Sequence, residues 1–213
     1  GATAPTLRHA SLDVAEGEFL AIMGANGCGK STLCKTMNGL IPQFIVGDLE
    51  GEVTVSGVSV PSARIGELAR RIGYVYQDFE NQIVRPTVID EASFSCLNFA
   101  LEDYLERGMR ALELCGLADR ADSYVWQLSG GQKQKVAVAA ILALRPRVLV
   151  LDEPTAALDP LAEARMYERY DELTEGCTSV FISHRLASTR FCGRVLYLEG
   201  GRLAEDGTHD ELM

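Results

Sequence analysis

The stretch GANGCGKS, residues Gly24–Ser31, follows a short apolar segment and precedes a helical pattern. It matches the pattern G-x-x-x-x-G-K-[ST] at every fixed position, in the context of strand, loop and helix that this pattern requires. Glycines let such a loop wrap a phosphate with its backbone amides pointing inward, and the N-terminus of the following helix adds a partial positive charge. The stretch therefore predicts a phosphate-binding loop; a glycine-rich turn that fits by chance is the alternative.

The loop residues differ in the chemistry that each can supply. Lys30 can reach the β- and γ-phosphates of a nucleotide, and the Ser31 hydroxyl can ligate Mg²⁺. Cys28 stands where a small residue is needed, and we expect it to serve as one and not as a nucleophile. A nucleotide with Mg²⁺ is the predicted ligand, and the predicted nucleotide-binding residues are Gly24, Asn26, Gly27, Cys28, Gly29, Lys30, Ser31 and Thr32.

A second chemical element follows the apolar run Val148–Leu151, which is typical of a central parallel strand covered on both faces. Asp152 and Glu153 come directly after it. Asp152 is expected to hold Mg²⁺, usually through water, and Glu153 to polarise the attacking water. Two adjacent carboxylates could also simply cap the strand. Beside the phosphate loop, they favour nucleotide hydrolysis by a P-loop protein.

Apolar runs alternate with helical patterns along the rest of the chain. Alternating Val and small or polar residues over Gly51–Val60 predict an antiparallel edge sheet, the pattern at 90–121 is helical, and Val136–Leu144 predicts a buried helix. Gly200-Gly201 suits a hairpin turn. The predicted fold class is α/β: a P-loop NTPase core with a mostly parallel sheet, an antiparallel β subdomain and an inserted helical subdomain. The predicted strands are Glu18–Met23, Arg71–Gln77, Arg147–Leu151, Ser179–Ile182 and Val195–Leu198.

Composition excludes several classes of protein. The 213 residues include 20 Lys and Arg against 30 Asp and Glu, a net charge of −10 that argues against a large basic footprint for nucleic acid. The longest apolar run, Val136–Leu144, has nine residues, whereas a membrane-spanning helix needs roughly 20. The six cysteines lack CxxC spacing, which indicates reduced thiols that pack in the core and not a zinc site.

The segment Leu128–Gln132 reads LSGGQ. With the phosphate loop and the acidic strand, it closely resembles the nucleotide-binding domain of ABC ATPases, of which LSGGQ is the signature. The order of motifs agrees, with Gln77 after a strand, Ala157–Asp159 beyond the acidic strand, and His184 after the strand Ser179–Ile182. The resemblance covers nearly the whole chain and implies the ABC ATPase fold with its RecA-like core.

The resemblance also implies roles for single residues. Gln77 would ligate Mg²⁺ or the water, His184 would contact the γ-phosphate, and Asp159 would lie at a dimer interface. Outside the family, Gln77 and His184 would more often be structural residues, and Asp159 could be a turn residue before Pro160.

A serine and two glycines before a helix form an anion-binding N-terminus on physical grounds alone. In ABC proteins two domains pack head to tail, so that this signature binds the ATP of the partner domain. The resemblance therefore implies that hydrolysis requires a dimer, with Ser129, Gly130, Gly131 and Gln132 as the signature residues that meet the partner's ATP.

We expect one ABC ATPase domain over residues 1–213, with a helical subdomain at approximately 80–135 and with an N-terminal strand region and a C-terminal extension truncated. ABC domains carry an upstream aromatic residue that stacks on adenine, yet no Tyr, Phe or Trp precedes Phe19, which suits the core better. Either the chain starts after that residue or adenine is held otherwise. We expect weaker ATP binding than in a chain extended at its N-terminus.

Two further stretches of sequence indicate a subgroup within this family. Gln77–Val84 (QDFENQIV) and Thr87–Glu91 (TVIDE) are similar to QNPDxQIV and TVxDE, which are typical of the ATPase subunits of energy-coupling factor transporters. Those transporters take up vitamins and transition-metal ions such as cobalt and nickel. Leu128–Ala137 and Thr155–Pro160 agree with that subgroup. The departures are Asp78-Phe79 in place of Asn-Pro, and Ala92–Ser95 where Val-Ala-Phe-Gly is usual.

This resemblance implies three partners and a location at the cytoplasmic face of the cell membrane. The partners are a second ABC ATPase domain, identical or different, an integral membrane scaffold and a small substrate-binding membrane subunit, with no nucleic acid. The scaffold would meet Asp78–Val84 and the helical insertion up to about Gln127. Tyr124 and Trp126 could touch it, although packing is the favoured interpretation because Trp is usually largely buried.

Two other functions agree less well with the sequence. A non-transport ABC ATPase acting on nucleic acid or ribosomes would usually carry coiled-coil insertions or a second ATPase domain, and this chain has neither. A regulatory module that no longer hydrolyses is disfavoured because both Glu153 and His184 are present. The transported substrate stays open.

Overall fold

A computed structural model describes residues 5–154 and 176–212 of the chain. Within them the chain divides into two compact units. The first comprises residues 5–72, 147–153 and 176–212, and the second comprises residues 73–146 with Pro154.

The strands and helices of the described residues are short. In chain order the strands are β1 (Phe19–Met23), β2 (Thr54–Val55), β3 (Val58–Ser59), β4 (Ile72–Val75), β5 (Val148–Asp152), β6 (Thr178–Ile182), β7 (Arg194–Glu199) and β8 (Arg202–Gly207). The α-helices are α1 (Lys30–Met37), α2 (Leu40–Gln43), α3 (Ile65–Ala69), α4 (Val88–Asn98), α5 (Tyr104–Leu114), α6 (Gly130–Leu142), α7 (Leu186–Thr189) and α8 (His209–Leu212). Short 3₁₀ turns span Val60–Ser62, Phe79–Gln82, Ala118–Arg120 and Val125–Gln127.

The first unit contains a mostly parallel sheet with the strand order β5, β6, β1, β7, β8. Its first four strands run parallel, and β8 returns antiparallel to β7 through a hairpin. The inner residues of β5, Leu149–Leu151, are fully buried although they alternate between the faces, so both faces of the strand are covered. The register pairs Asp152 with Ile182, which puts the acidic end of β5 at the carboxyl edge of the sheet, where parallel α/β sheets bind ligands.

Turn chemistry accounts for the smaller antiparallel elements of this unit. β2 and β3 pair antiparallel, Thr54 with Ser59 and Val55 with Val58, so the predicted edge sheet exists but is shorter than Gly51–Val60. Gly200 and Gly201 both have positive φ, as a tight hairpin between β7 and β8 requires. The predicted hairpin and the predicted α/β fold are confirmed.

The second unit contains α4, α5 and α6. Thr87 caps α4, because its Oγ1 accepts a hydrogen bond from Asp90 N at 3.3 Å. The helical pattern at 90–121 corresponds to two helices, since the chain turns after α4 through Ala100, whose φ is positive. α5 then approaches α4 closely: a Cβ on Gly108 would lie 2.1 Å from Ser93 Oγ. Only glycine fits at this contact.

The boundary of α6 differs from the prediction based on the apolar run. The apolar run predicted a helix from Val136, whereas α6 begins at Gly130, where Ser129 caps it. This start agrees with the helix N-terminus predicted at the signature. Gly130 and Gly131 have weak helix propensity, and the residues before Val136 are polar, so the apolar run does not extend to the first turn. Residues Val136–Ala140 are buried, as predicted.

The cysteines behave as packing residues. All six are free thiols, and all except Cys177 are buried. Burial raises the pKa of Cys192 to about 12 and that of Cys177 to about 11, and it also raises the pKa of the fully buried Cys34 thiol. A raised pKa leaves these cysteines protonated and poorly nucleophilic at neutral pH.

Candidate active site

The phosphate loop occupies the turn from β1 into α1. Gly24 has φ +141, and a Cβ there would lie 2.2 Å from the carbonyl oxygen of Leu198. Gly29, with φ +112, would direct a Cβ to 2.9 Å from Leu7 Cδ2. The positive φ therefore favours glycine at both positions, and at Gly24 the backbone of Leu198 also leaves no room for a Cβ.

Lys30 is buried at the start of α1, with its ammonium turned back onto the loop. Its Nζ donates to the carbonyl oxygens of Gly24 at 2.8 Å and Ala25 at 3.0 Å. A buried charge needs such partners. These bonds hold a cation at the loop with neutral acceptors that an anionic ligand could replace.

The other predicted loop residues differ in their exposure. Cys28 is buried, and its Sγ lies 4.0 Å from Lys30 Nζ, which agrees with the expected role of a small packing residue. Asn26 and Gly27 are exposed, and Thr32 is half-buried in the first turn of α1.

Ser31 and Asp152 form a hydrogen bond within the first unit. Ser31 Oγ donates to Asp152 Oδ1 at 3.2 Å, and Asp152 is buried at the end of β5. A hydroxyl and a carboxylate are hard oxygen ligands of the kind that Mg²⁺ prefers, and Mg²⁺ usually takes only one or two protein ligands beside phosphate and water. The pair therefore fits a nucleotide-bound magnesium ion.

Glu153 and His184 also meet in the first unit. His184 Nδ1 lies 3.3 Å from Glu153 Oε1. The Glu153 backbone N donates to the Ile182 carbonyl at 3.2 Å, which fixes the residue at the sheet edge. Glu153 has φ +52, a left-handed conformation that costs a residue with a Cβ about 1 kcal/mol or more and that is concentrated at functional sites.

The signature forms the start of α6 in the second unit. Ser129 Oγ accepts from Gln132 N at 3.3 Å, and Gln132 Oε1 accepts from Ser129 N at 3.0 Å. This reciprocal capping box fixes the first turn. Ser129 and Gly130 are exposed, so this end of the helix is open to a ligand.

Gln77 lies in the second unit and is exposed directly after β4. The loop behind it is closed by Gln82, whose Nε2 donates to Tyr74 O at 3.1 Å and whose Oε1 accepts from Tyr76 N at 3.2 Å. Sequence reasoning did not single out Gln82 for this contact. Asp159 lies outside the described residues.

The favoured interpretation of Tyr124 and Trp126 as packing residues is wrong. Their side chains are 46% and 65% exposed. The rings stack on each other, with centroids 4.3 Å apart and planes at 14°. Pro86 O accepts from Val125 N at 2.9 Å and Gln127 Oε1 accepts from Tyr124 N at 3.2 Å, so the backbone of this turn is held while both rings stay in solvent.

Comparison with known proteins identifies the family of this chain. The ABC transporter family model matches residues 7–156. An ABC transporter ATP-binding protein of Pyrococcus abyssi is 39% identical over 97% of this chain and 76% of its own length. The energy-coupling factor transporter ATP-binding protein EcfA1 of Bacillus licheniformis is 36% identical over 98% of this chain and 74% of its own length.

Solved structures agree with these relatives. CbiO1 from Clostridium perfringens, described as part of the ABC transporter complex CbiONQ, superposes with a TM-score of 0.87 at 32% identity, covering 97% of this chain and 83% of that one. An ATP-binding cassette solved as a dimer in a post-hydrolysis state, bound to ADP and phosphate, has a TM-score of 0.83 at 29% identity, covering 96% and 90%.

The chain belongs to the ABC transporter ATP-binding family. It is an ATP-binding subunit and an ATPase, and its resemblance to the energy-coupling factor ATPases is supported. In the part of the chain that the structure describes, no helix is both long and apolar enough to cross a membrane.

Proposed function

We propose that this chain powers import through a membrane transporter of the energy-coupling factor type, for a vitamin or a transition-metal ion. The observation that carries the proposal is the pair of stretches Gln77–Val84 and Thr87–Glu91. The resemblance to EcfA1 and to CbiO1 supports it. The site of this chain does not select the transported substrate, because in such transporters a separate membrane subunit does so.

ATP binding begins at the phosphate loop. The inward amides of Gly24–Ser31 and the Lys30 ammonium bind the β- and γ-phosphates, with Thr32 in the first helical turn. Lys30 already lies at the loop, bonded to two carbonyls. A bond from the ammonium to an anionic phosphate oxygen is stronger than a bond from the ammonium to a neutral carbonyl, so a phosphate can replace the carbonyls as the partner of Lys30.

Ser31 and Asp152 hold Mg²⁺, with Gln77 as a further ligand of the ion or the water. Bound Mg²⁺ would neutralise charge on the phosphate oxygens. The Ser31–Asp152 contact supports this assignment. A buried carboxylate beside a hydroxyl pre-orders two of the few protein ligands that Mg²⁺ needs.

Hydrolysis uses Glu153 and His184. Glu153 accepts a proton from the attacking water, whose oxygen forms the new bond to the γ-phosphorus while the bond to the β,γ-bridging oxygen breaks. His184, whose Nδ1 faces Glu153 Oε1, orients that carboxylate and contacts the γ-phosphate. The 3.3 Å distance between the two side chains supports this pairing.

A second ABC ATPase domain completes the site. Ser129, Gly130, Gly131 and Gln132 bind the ATP held by that partner, and Asp159 lies at the interface. The exposed, capped start of α6 supports the first assignment. The relative solved as a dimer with ADP and phosphate supports the need for two copies.

An integral membrane scaffold docks on the second unit, through Asp78–Val84 and the helices up to about Gln127, and a small membrane subunit supplies the substrate. This assembly holds the chain at the cytoplasmic face of the membrane. The exposed rings of Tyr124 and Trp126 support contact with a partner, since these residue types are enriched in interfaces.

We also infer that residues 1–213 form one ABC ATPase domain and that the second unit carries the helical insertion expected at approximately 80–135. The location of α4, α5 and α6 in that unit supports the inference.

The test is purification of the full-length protein from its native membranes, followed by reconstitution in vesicles. We expect an integral scaffold and a small membrane subunit to copurify, and uptake to require ATP. The Glu153→Gln variant should form the same complex without uptake. Recovery of the protein with ribosomes or nucleic acid and without membrane subunits would overturn the proposal in favour of a non-transport ATPase.

A further inference from the structure

An ion pair joins the loop behind Gln77 to the first turn of α6. Lys133 Nζ lies 2.8 Å from Glu80 Oε1, and the two residues are 53 positions apart in the chain. Glu80 belongs to the 3₁₀ turn Phe79–Gln82, and Lys133 directly follows the signature residue Gln132. Both ends of the pair lie in the second unit.

Each residue of this ion pair belongs to a backbone segment that further hydrogen bonds fix in place. On the loop side, Gln82 bonds to Tyr74 O and Tyr76 N, which closes the loop on the end of β4. On the helix side, Lys133 N donates to Ser129 O at 2.9 Å, beside the Ser129–Gln132 capping box. A displacement of Glu80 therefore acts on the backbone that presents Ser129.

The pair is poorly suited to stabilising the fold. The side chains of Lys133 and Glu80 are 25% and 57% exposed, and solvent screens an ion pair of this exposure so that it adds little to the free energy of unfolding. Lys133 is moreover a cation in the first turn of a helix, where the helix dipole disfavours positive charge. The negative charge of Glu80 offsets this unfavourable interaction with the helix dipole. The stability of the Lys133 ammonium at this place therefore depends on the position of the loop.

We propose that Glu80 and Lys133 are positioning residues that couple the Gln77 loop to the signature. Movement of the loop shifts the first turn of α6, and the signature returns the effect when it engages the partner's ATP. The proposal rests on the function proposed above, in which Gln77 and Ser129 act on nucleotide. It assigns the coupling between the Gln77 loop and the signature to the ion pair of Glu80 and Lys133.

The experiment uses the full chain with Glu80→Gln, Lys133→Gln, the double variant and the charge exchange Glu80→Lys with Lys133→Glu. Each single variant should lower ATP turnover about threefold to tenfold. The double variant should turn over ATP at least as fast as the less active of the two single variants, as expected for coupled residues. ATP affinity of the separate chain and Tm should stay at the parental values. The charge exchange should restore turnover to within about twofold, because the pair re-forms with reversed sign.

A matched control is available in the same unit. Arg107 and Asp103 also form a 2.8 Å ion pair, and their side chains are 22% and 48% exposed, but both residues lie at the start of α5 and neither is part of the Gln77 loop or of α6. Asp103→Asn should leave turnover unchanged. An equal loss of turnover in this control, additive effects of the two single variants, or no recovery on charge exchange would overturn the coupling role.

A parent protein that does not hydrolyse ATP would instead contradict the proposed function. A parent that hydrolyses ATP and is unaffected by these substitutions would contradict only the positioning role. The two failures are therefore distinguishable in one assay of phosphate release.

Discussion

Ser31 Oγ lies 3.2 Å from Asp152 Oδ1, although 121 positions separate the two residues in the chain. The contact follows from the sheet. β1 delivers the phosphate loop and α1, and β5 ends with Asp152 at the same carboxyl edge. Two oxygen atoms of the kind that Mg²⁺ prefers thus lie side by side, which supports the proposed magnesium site.

Removal of the Ser31 hydroxyl should weaken the response to Mg²⁺. We expect Ser31→Ala to raise the Mg²⁺ concentration for half-maximal ATP turnover about tenfold or more, in the range that loss of a metal-site contact usually costs. Turnover measured against Mg²⁺ at fixed ATP provides the test. Ser31→Thr keeps the hydroxyl and is the control; an alanine variant with the parental Mg²⁺ response would exclude Ser31 as a ligand.

Glu153→Gln should separate hydrolysis from binding. The amide cannot accept the proton of the attacking water, whereas the phosphate contacts remain, so turnover should fall about a hundredfold or more. ATP should then accumulate a dimer on size-exclusion chromatography. Lys30→Ala should behave differently and lower ATP affinity itself. Parental turnover in Glu153→Gln would show that Glu153 is not the base.

Gly24→Ala should destabilise the fold through a steric clash. The new Cβ would lie 2.2 Å from the Leu198 carbonyl oxygen, and we expect a loss of about 2 kcal/mol or more in the free energy of unfolding. Gly27 also has positive φ, but a Cβ there meets nothing within 4 Å; Gly27→Ala should therefore cost only about 1 kcal/mol. Urea denaturation compares the two, and equal losses would contradict the steric account.

Glu91 should make stability depend on pH. It is buried, its Oε2 accepts from Val84 N at 2.9 Å and from Arg85 N at 2.7 Å, and burial raises its pKa above the ordinary value of 4.5 although both hydrogen bonds oppose the shift. Between that value and the raised pKa the folded protein binds more protons than the unfolded chain. The Glu91 contribution is therefore fully present below pH 4.5 and is lost as the pH rises through the folded pKa.

Glu91→Gln removes this titration. The free energy of unfolding of the variant, minus that of the parent, should increase as the pH rises from 4.5 towards neutrality. Urea denaturation at several pH values measures the difference. Glu113→Gln, at an exposed position on α5, is the control for the replacement of a carboxylate by an amide. A difference that stays constant, or that falls with pH, would contradict the sign.

Trp126 offers a direct optical test of its exposure. It is the single tryptophan of the chain and is 65% exposed, so emission from the purified protein should be that of a solvated indole and should be quenched by acrylamide. Tyr124→Ala should raise the quenching further because it uncovers the second face of the indole. A blue-shifted emission that resists acrylamide would contradict the exposed stack.

Most of the chemistry could be predicted from short segments. The phosphate loop, the acid pair after β5 and the signature each lie within a few residues, so local backbone constraints and side-chain type identify them. Boundaries were less predictable. The apolar run Val136–Leu144 omits the first turns of α6, where the capping of Ser129 outweighs the weak helix propensity of Gly130 and Gly131.

The sequence by itself determined the family, and it supplied the candidate groups that we propose to act on a nucleotide. Only the tertiary structure decided which of them meet. The 3.3 Å approach of His184 to Glu153, the link between Lys133 and Glu80, and the exposure of Trp126 depend on strand register and helix packing. The first two are contacts between residues far apart in the chain. All three depend on how the burial of apolar surface arranges the surrounding elements, and no local pattern specifies them.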